Sequence, residues 1–211
     1  MTARGVERFE IGGPVGAIEI VLDIPAAAPQ GVALVCHPHP LQGGTLDNKV
    51  AQTLARAFAR LGYAAARLNF RGVGKSAGTF DDGIGETEDA LAVLAHVRSR
   101  FGDALPVALA GFSFGSYVQT RVAERVASER LVLVAPAVRR FAVGAVAPES
   151  IVIHGDEDDV VPLPDVLAWA RPQQLPIVVF PGCGHFFHGR LPQLSRIVAA
   201  LWPAKGAEGG A

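Results

Sequence analysis

Cysteine is scarce here: only Cys36 and Cys183 occur in 211 residues. Two isolated cysteines match no zinc-ligand spacing and cannot build a disulfide framework. Charge of one sign is equally lacking. Nineteen Lys and Arg against 20 Asp and Glu leave a formal net charge of -1, with no long run of either sign. A nucleic-acid or membrane-surface footprint needs a concentrated basic patch, so neither partner is expected. No apolar run is long enough to span a bilayer, and residues 1–9 carry charges in place of the apolar core of a secretory signal. The expectation is a soluble, cytoplasmic protein. Half the residues are hydrophobic, which suits one compact α/β domain over 1–203, with a Gly/Ala-rich, disordered tail at 204–211.

Two ligand motifs fail on inspection. Arg71-Gly72-Val73-Gly74-Lys75-Ser76 looks like the end of a phosphate-binding loop, but its required first glycine falls on Asn69. Asp156-Glu157-Asp158-Asp159 invites a calcium-loop reading. Counting from Asp156, the sixth position is Val161 instead of Gly and the twelfth is Leu167 instead of Glu.

What the chain does have is Gly111-Phe112-Ser113-Phe114-Gly115, between the apolar run Pro106–Ala110 and a helical pattern over Ser116–Ala127. Strand, sharp turn and helix with serine at the tip is the nucleophile-elbow pattern. Glycine on each side removes the Cβ atoms that would collide as strand and helix approach.

Around it, short apolar runs alternate with helical spacing. Strands are expected near Val6–Ile11, Ala17–Ile24, Gly31–Cys36, Tyr63–Phe70, Leu131–Ala135, Ile151–His154 and Ile177–Phe180. Helices are expected near Asp47–Leu61, Glu86–Arg100, Leu163–Arg171 and Leu191–Trp202. Such alternation implies a mostly parallel sheet with helices on both faces. Ligands then bind beyond the carboxyl ends of the strands, where the segments at His37, Ser113, His154 and His185 fall.

A serine hydroxyl needs a base to take its proton, usually a histidine oriented by a carboxylate. Downstream of Ser113, His185 lies in a Gly-rich loop and is the best base; His188 is weaker, already entering the last helix. The acid is one of the four consecutive carboxylates at 156–159. His37 and His39 form an H-x-H pair that could bind a metal, but a catalytic site needs a third ligand, so no metal or cofactor is expected.

The chain resembles the α/β-hydrolases, specifically the small lidless serine hydrolases related to dienelactone hydrolase. The resemblance rests on His37-Pro38-His39-Pro40 with Gly43-Gly44 and Asn48, on Asn69 to Gly74 with Ser76, on the elbow, on Gly155 with Asp158 and Val161-Pro162, and on Gly184-His185-Phe186-Phe187. It implies an eight-stranded sheet, antiparallel at its second strand, with no cap domain. The family's spacing selects Asp158 as the acid. It also makes the loop after Cys36 an oxyanion-hole position, to act with the Phe114 N–H. Pro38 and Pro40 have no N–H, which leaves His39, the favoured donor, or Leu41. Dienelactone hydrolase itself carries a cysteine nucleophile where this elbow has serine, so lactone substrates are not implied. Leu41, Phe112, Phe186 and Phe187 are expected to wall the substrate, with core packing the alternative for the elbow phenylalanines.

The resulting expectation is a serine esterase of the carboxylesterase type, with Ser113, Asp158 and His185 as its triad. It would cleave small carboxylic esters through an acyl-enzyme. A thioesterase, a small peptidase and a catalytically silent scaffold are the rival readings.

Overall fold

The computed structural model describes residues 3–202, so the expected tail lies outside the described residues. Eight strands form one sheet: β1 (Ala3–Gly13), β2 (Gly16–Pro25), β3 (Gly31–Cys36), β4 (Tyr63–Leu68), β5 (Val107–Phe112), β6 (Arg130–Val134), β7 (Ile151–Gly155) and β8 (Ile177–Phe180). Their order is β1-β2-β4-β3-β5-β6-β7-β8. β2 runs antiparallel to β1 and β4, and every other pairing is parallel.

The continuous apolar runs are explained by layers on both faces. Along β3, Ala33 and Val35 face a core shared with α1 (Lys49–Arg60) and α5 (Leu191–Leu201). Val32, Leu34 and Cys36 alternate to the other side, against α2 (Ile84–Phe101) and α3 (Phe114–Ala123). The remaining helix, α4 (Leu163–Ala170), buries Val166 against Val152 and Val161.

One boundary differs usefully from expectation. α3 begins at Phe114, directly on the elbow, and ends at Ala123, four residues early. The chain turns there because the N–H groups of Arg125 and Val126 both bond Val122 O. Parallel β3, β5, β7 and β8 therefore deliver their following loops to one edge, with the elbow near the sheet centre. His154 does not belong to those loops: it lies inside β7, fully buried.

Candidate active site

Ser113 sits between β5 and α3 at φ 55°, ψ -116°, a conformation that L-residues rarely adopt. Backbone bonds hold it there: Ser113 N–H donates to Val134 O at 2.9 Å and Ser116 N–H to Ser113 O at 2.9 Å. Both flanking glycines are required by contact. A Cβ on Gly111 would lie 2.2 Å from Gly115 O, and one on Gly115 would lie 2.3 Å from Cys36 O. The Ser113 side chain makes no capping bond to its own helix, so the hydroxyl stays available at the positive end of α3.

His185 comes to this edge on the loop after β8, buried at its rim. Its Nδ1 bonds Asp158 Oδ2 at 2.7 Å, which leaves Nε2 as the nitrogen without a partner among the described residues. Asp158 Oδ1 accepts the N–H groups of Val160 (3.0 Å) and Val161 (2.7 Å). Burial works to raise the Asp158 pKa, but the bonds from His185 and Val161 outweigh it and hold the carboxyl below its ordinary value. Beneath, His154 Nε2 donates to Val161 O at 2.8 Å and lies 3.6 Å from Asp158 Oδ2. Burial lowers the His154 pKa, outweighing the Val161 O bond and the Asp158 charge that act to raise it. Asp156 acts elsewhere, where its Oδ1 accepts the Gly182 N–H at 2.7 Å and so ties down the loop that carries His185.

The two candidate oxyanion donors differ in whether their N–H is already bonded. Leu41 N–H bonds the His39 ring at Nδ1, 3.2 Å away. Among the described residues, the N–H groups of His39 and Phe114 have no partner. Gly44 lets the loop close on itself, since a Cβ there would lie 2.1 Å from Pro38 O.

Residues 29–148 match the family model described as serine aminopeptidase, S33. An α/β serine hydrolase homologue from Coxiella burnetii is similar at 40% identity, covering 96% of this chain and 99% of that one, with a TM-score of 0.87. An α/β serine hydrolase without a lid from Xanthomonas campestris is 36% identical over 97% of this chain and 99% of its own, with a TM-score of 0.89. An uncharacterised protein of Rickettsia prowazekii is 32% identical, covering 88% and 84% of the two chains. The chain belongs to the α/β-hydrolase superfamily.

The hydrolase opens to solvent at a small cleft of about 70 Å³, lined by Ser113, His185, His39, Asn48, Val160 and Phe186 among others. Of the expected wall, Phe186 does line it and is 47% exposed. Leu41 is exposed at 72% and is not among the lining residues. Phe112 and Phe187 correct the expectation, because both are completely buried in the α1/α5 core. Phe112 acts from below, its ring 4.9 Å from that of His185. Phe187 takes a left-handed φ of 53° and turns inward onto Phe180. The Phe114 ring is also core, against Phe70, Phe80 and Phe141. Both cysteines are buried thiols, with burial the main force raising each pKa, so neither is poised as a thiolate.

His37 was missed as a structural anchor. Its Nδ1–H donates to Pro38 O at 2.6 Å, and its Nε2 accepts the Phe70 N–H at 3.1 Å. Neither nitrogen is left for a metal. No local signal marks this, because the partner lies 33 residues away. Burial lowers the His37 pKa to about 3. With the folded value below the unfolded one, the stabilising contribution is complete above about pH 6.5 and declines as pH falls from there towards 3. Denaturant unfolding at pH 7 and pH 5 is expected to show wild type losing about 2 kcal/mol more than His37→Gln.

Proposed function

We propose that this hydrolase cleaves small carboxylic esters through an acyl-enzyme on Ser113. His185 Nε2 takes the serine proton, Ser113 Oγ attacks the carbonyl carbon, and the N–H groups of Phe114 and His39 receive the oxyanion. His185 then hands the proton to the departing alcohol. Water, deprotonated by the same ring, releases the acid and restores the serine. Asp158 holds the ring in the Nδ1–H form and stabilises its charged state.

The observation that favours an ester over a peptide amine is the cleft's charge. Among the described residues lining it there is no carboxylate to hold a substrate ammonium group. A neutral acyl substrate needs none. Cleft size supports a short acyl chain, since about 70 Å³ buries few methylenes and each properly buried one contributes ~0.8 kcal/mol. Across p-nitrophenyl esters, kcat/KM is expected to peak at about two to six acyl carbons and then level or fall, with no activation by micelles. Faster cleavage of aminoacyl amides than of every ester would overturn the reading.

A further inference from the structure

Asn48 caps α1 and lines the cleft beside Ser113 and His185. Its Oδ1 accepts the N–H groups of Val50 at 2.9 Å and Ala51 at 3.3 Å. Two backbone donors can be met only by the amide oxygen, so they fix which way the side chain is turned. Nδ2, with both hydrogens, is left without a partner among the described residues. Val160 and Phe186 are apolar, and Gln42 is exposed with no bond orienting its amide; His39 Nδ1 accepts the Leu41 N–H, so its Nε2–H is the other donor of the wall.

A donor held at a substrate cleft discriminates strongly. A ligand with an oxygen opposite it keeps a hydrogen bond; one with a methylene there strips the donor of water and returns nothing. We infer that Asn48 Nδ2 is a specificity-determining donor, selecting short esters that carry a second oxygen acceptor (ether, hydroxyl or carbonyl) close to the scissile group. This rests on the esterase reading above. The acceptor could belong to the acyl or the alcohol portion, and the choice of probes distinguishes the two.

Two pairs of near-isosteric esters provide the test. On the acyl side, p-nitrophenyl methoxyacetate is compared with p-nitrophenyl butanoate. On the alcohol side, 2-methoxyethyl butanoate is compared with butyl butanoate. Each kcat/KM is taken as a ratio of wild type to variant, which cancels intrinsic reactivity. Asn48→Ser keeps a capping oxygen and removes the NH₂ group. Its ratio is expected to be roughly tenfold larger for the oxygen-bearing member in one of the two pairs, with the melting temperature near that of wild type. Asn48→Ala should show the same kinetic ratio and also melt lower, having lost the cap. Asn48→Asp, which keeps the cap and puts an acceptor where the donor was, repeats the test should Asn48→Ser fold poorly. Equal ratios within both pairs would overturn this inference alone. Failure of wild type to turn over any of the four would overturn the esterase reading and this inference with it.

Discussion

Ser113→Ala is expected to abolish covalent labelling by a fluorophosphonate and to lower ester turnover on the order of 10⁵-fold. The size follows from the loss of the only atom that forms the acyl bond. What survives is binding and oxyanion stabilisation, because the Phe114 and His39 N–H groups are backbone and stay in place. Folding should be undisturbed. The hydroxyl makes no capping bond, and the backbone bond of Ser113 N–H to Val134 O does not depend on the side chain. Cys36→Ser and Cys183→Ser should keep most activity, as both thiols are buried and held protonated. Full activity in Ser113→Ala, combined with loss in either cysteine variant, would sink the serine mechanism.

Asp158→Asn is expected to lower kcat by about 10⁴-fold. The geometry explains why an isosteric change is so costly. Val160 and Val161 N–H groups both point at the Oδ1 position, so the new amide must keep its oxygen there. Its NH₂ then faces His185 Nδ1, donor against donor, and the imidazole is driven to the tautomer that cannot accept the serine proton. Neighbouring acids give the contrast. Asp156→Asn retains an oxygen for Gly182 N–H, and Glu157 and Asp159 are exposed, so their amide variants should stay within a few-fold of wild type. Steady-state kinetics of the four variants decide the matter. A loss larger in any of the other three than in Asp158→Asn would reassign the acid.

Much of this was legible in the chain itself. Gly31–Cys36 and Ile177–Phe180 coincide with β3 and β8, because a short apolar run bounded by glycine, proline or a charge has one plausible reading. The start of α3 was not legible. An elbow with no linker between strand and helix leaves no break in hydrophobic pattern to mark where one becomes the other. Phe112 and Phe187 were misplaced because neighbours in sequence need not share a surface. Strand alternation sends Phe112 into the core, and a left-handed turn does the same for Phe187. The anchoring of His37 and the orientation of the Asn48 amide depend on which backbone groups stand opposite, and periodicity says nothing about those.

Residues 136–150, between β6 and β7, contain no helix or strand. They nonetheless pack beside the cleft loop, where Phe141 lies 5.0 Å from the Phe114 ring and 5.9 Å from the His39 ring. The first root of the segment is clamped into the sheet by Ser113 N–H on Val134 O and Ala135 N–H on Ile153 O, and the second opens β7, where Ile151 pairs with Val132. Lengthening a segment so anchored is cheap, since doubling a flexible loop costs only ~0.6 kcal/mol. This segment and the stretches that carry Ser113, Asp158 and His185 are thus separate. Insertions between Pro136 and Ser150 would leave those three residues where they are and place new chain beside His39, which makes this segment the place where evolution or design can add structure next to the cleft without rebuilding its lining.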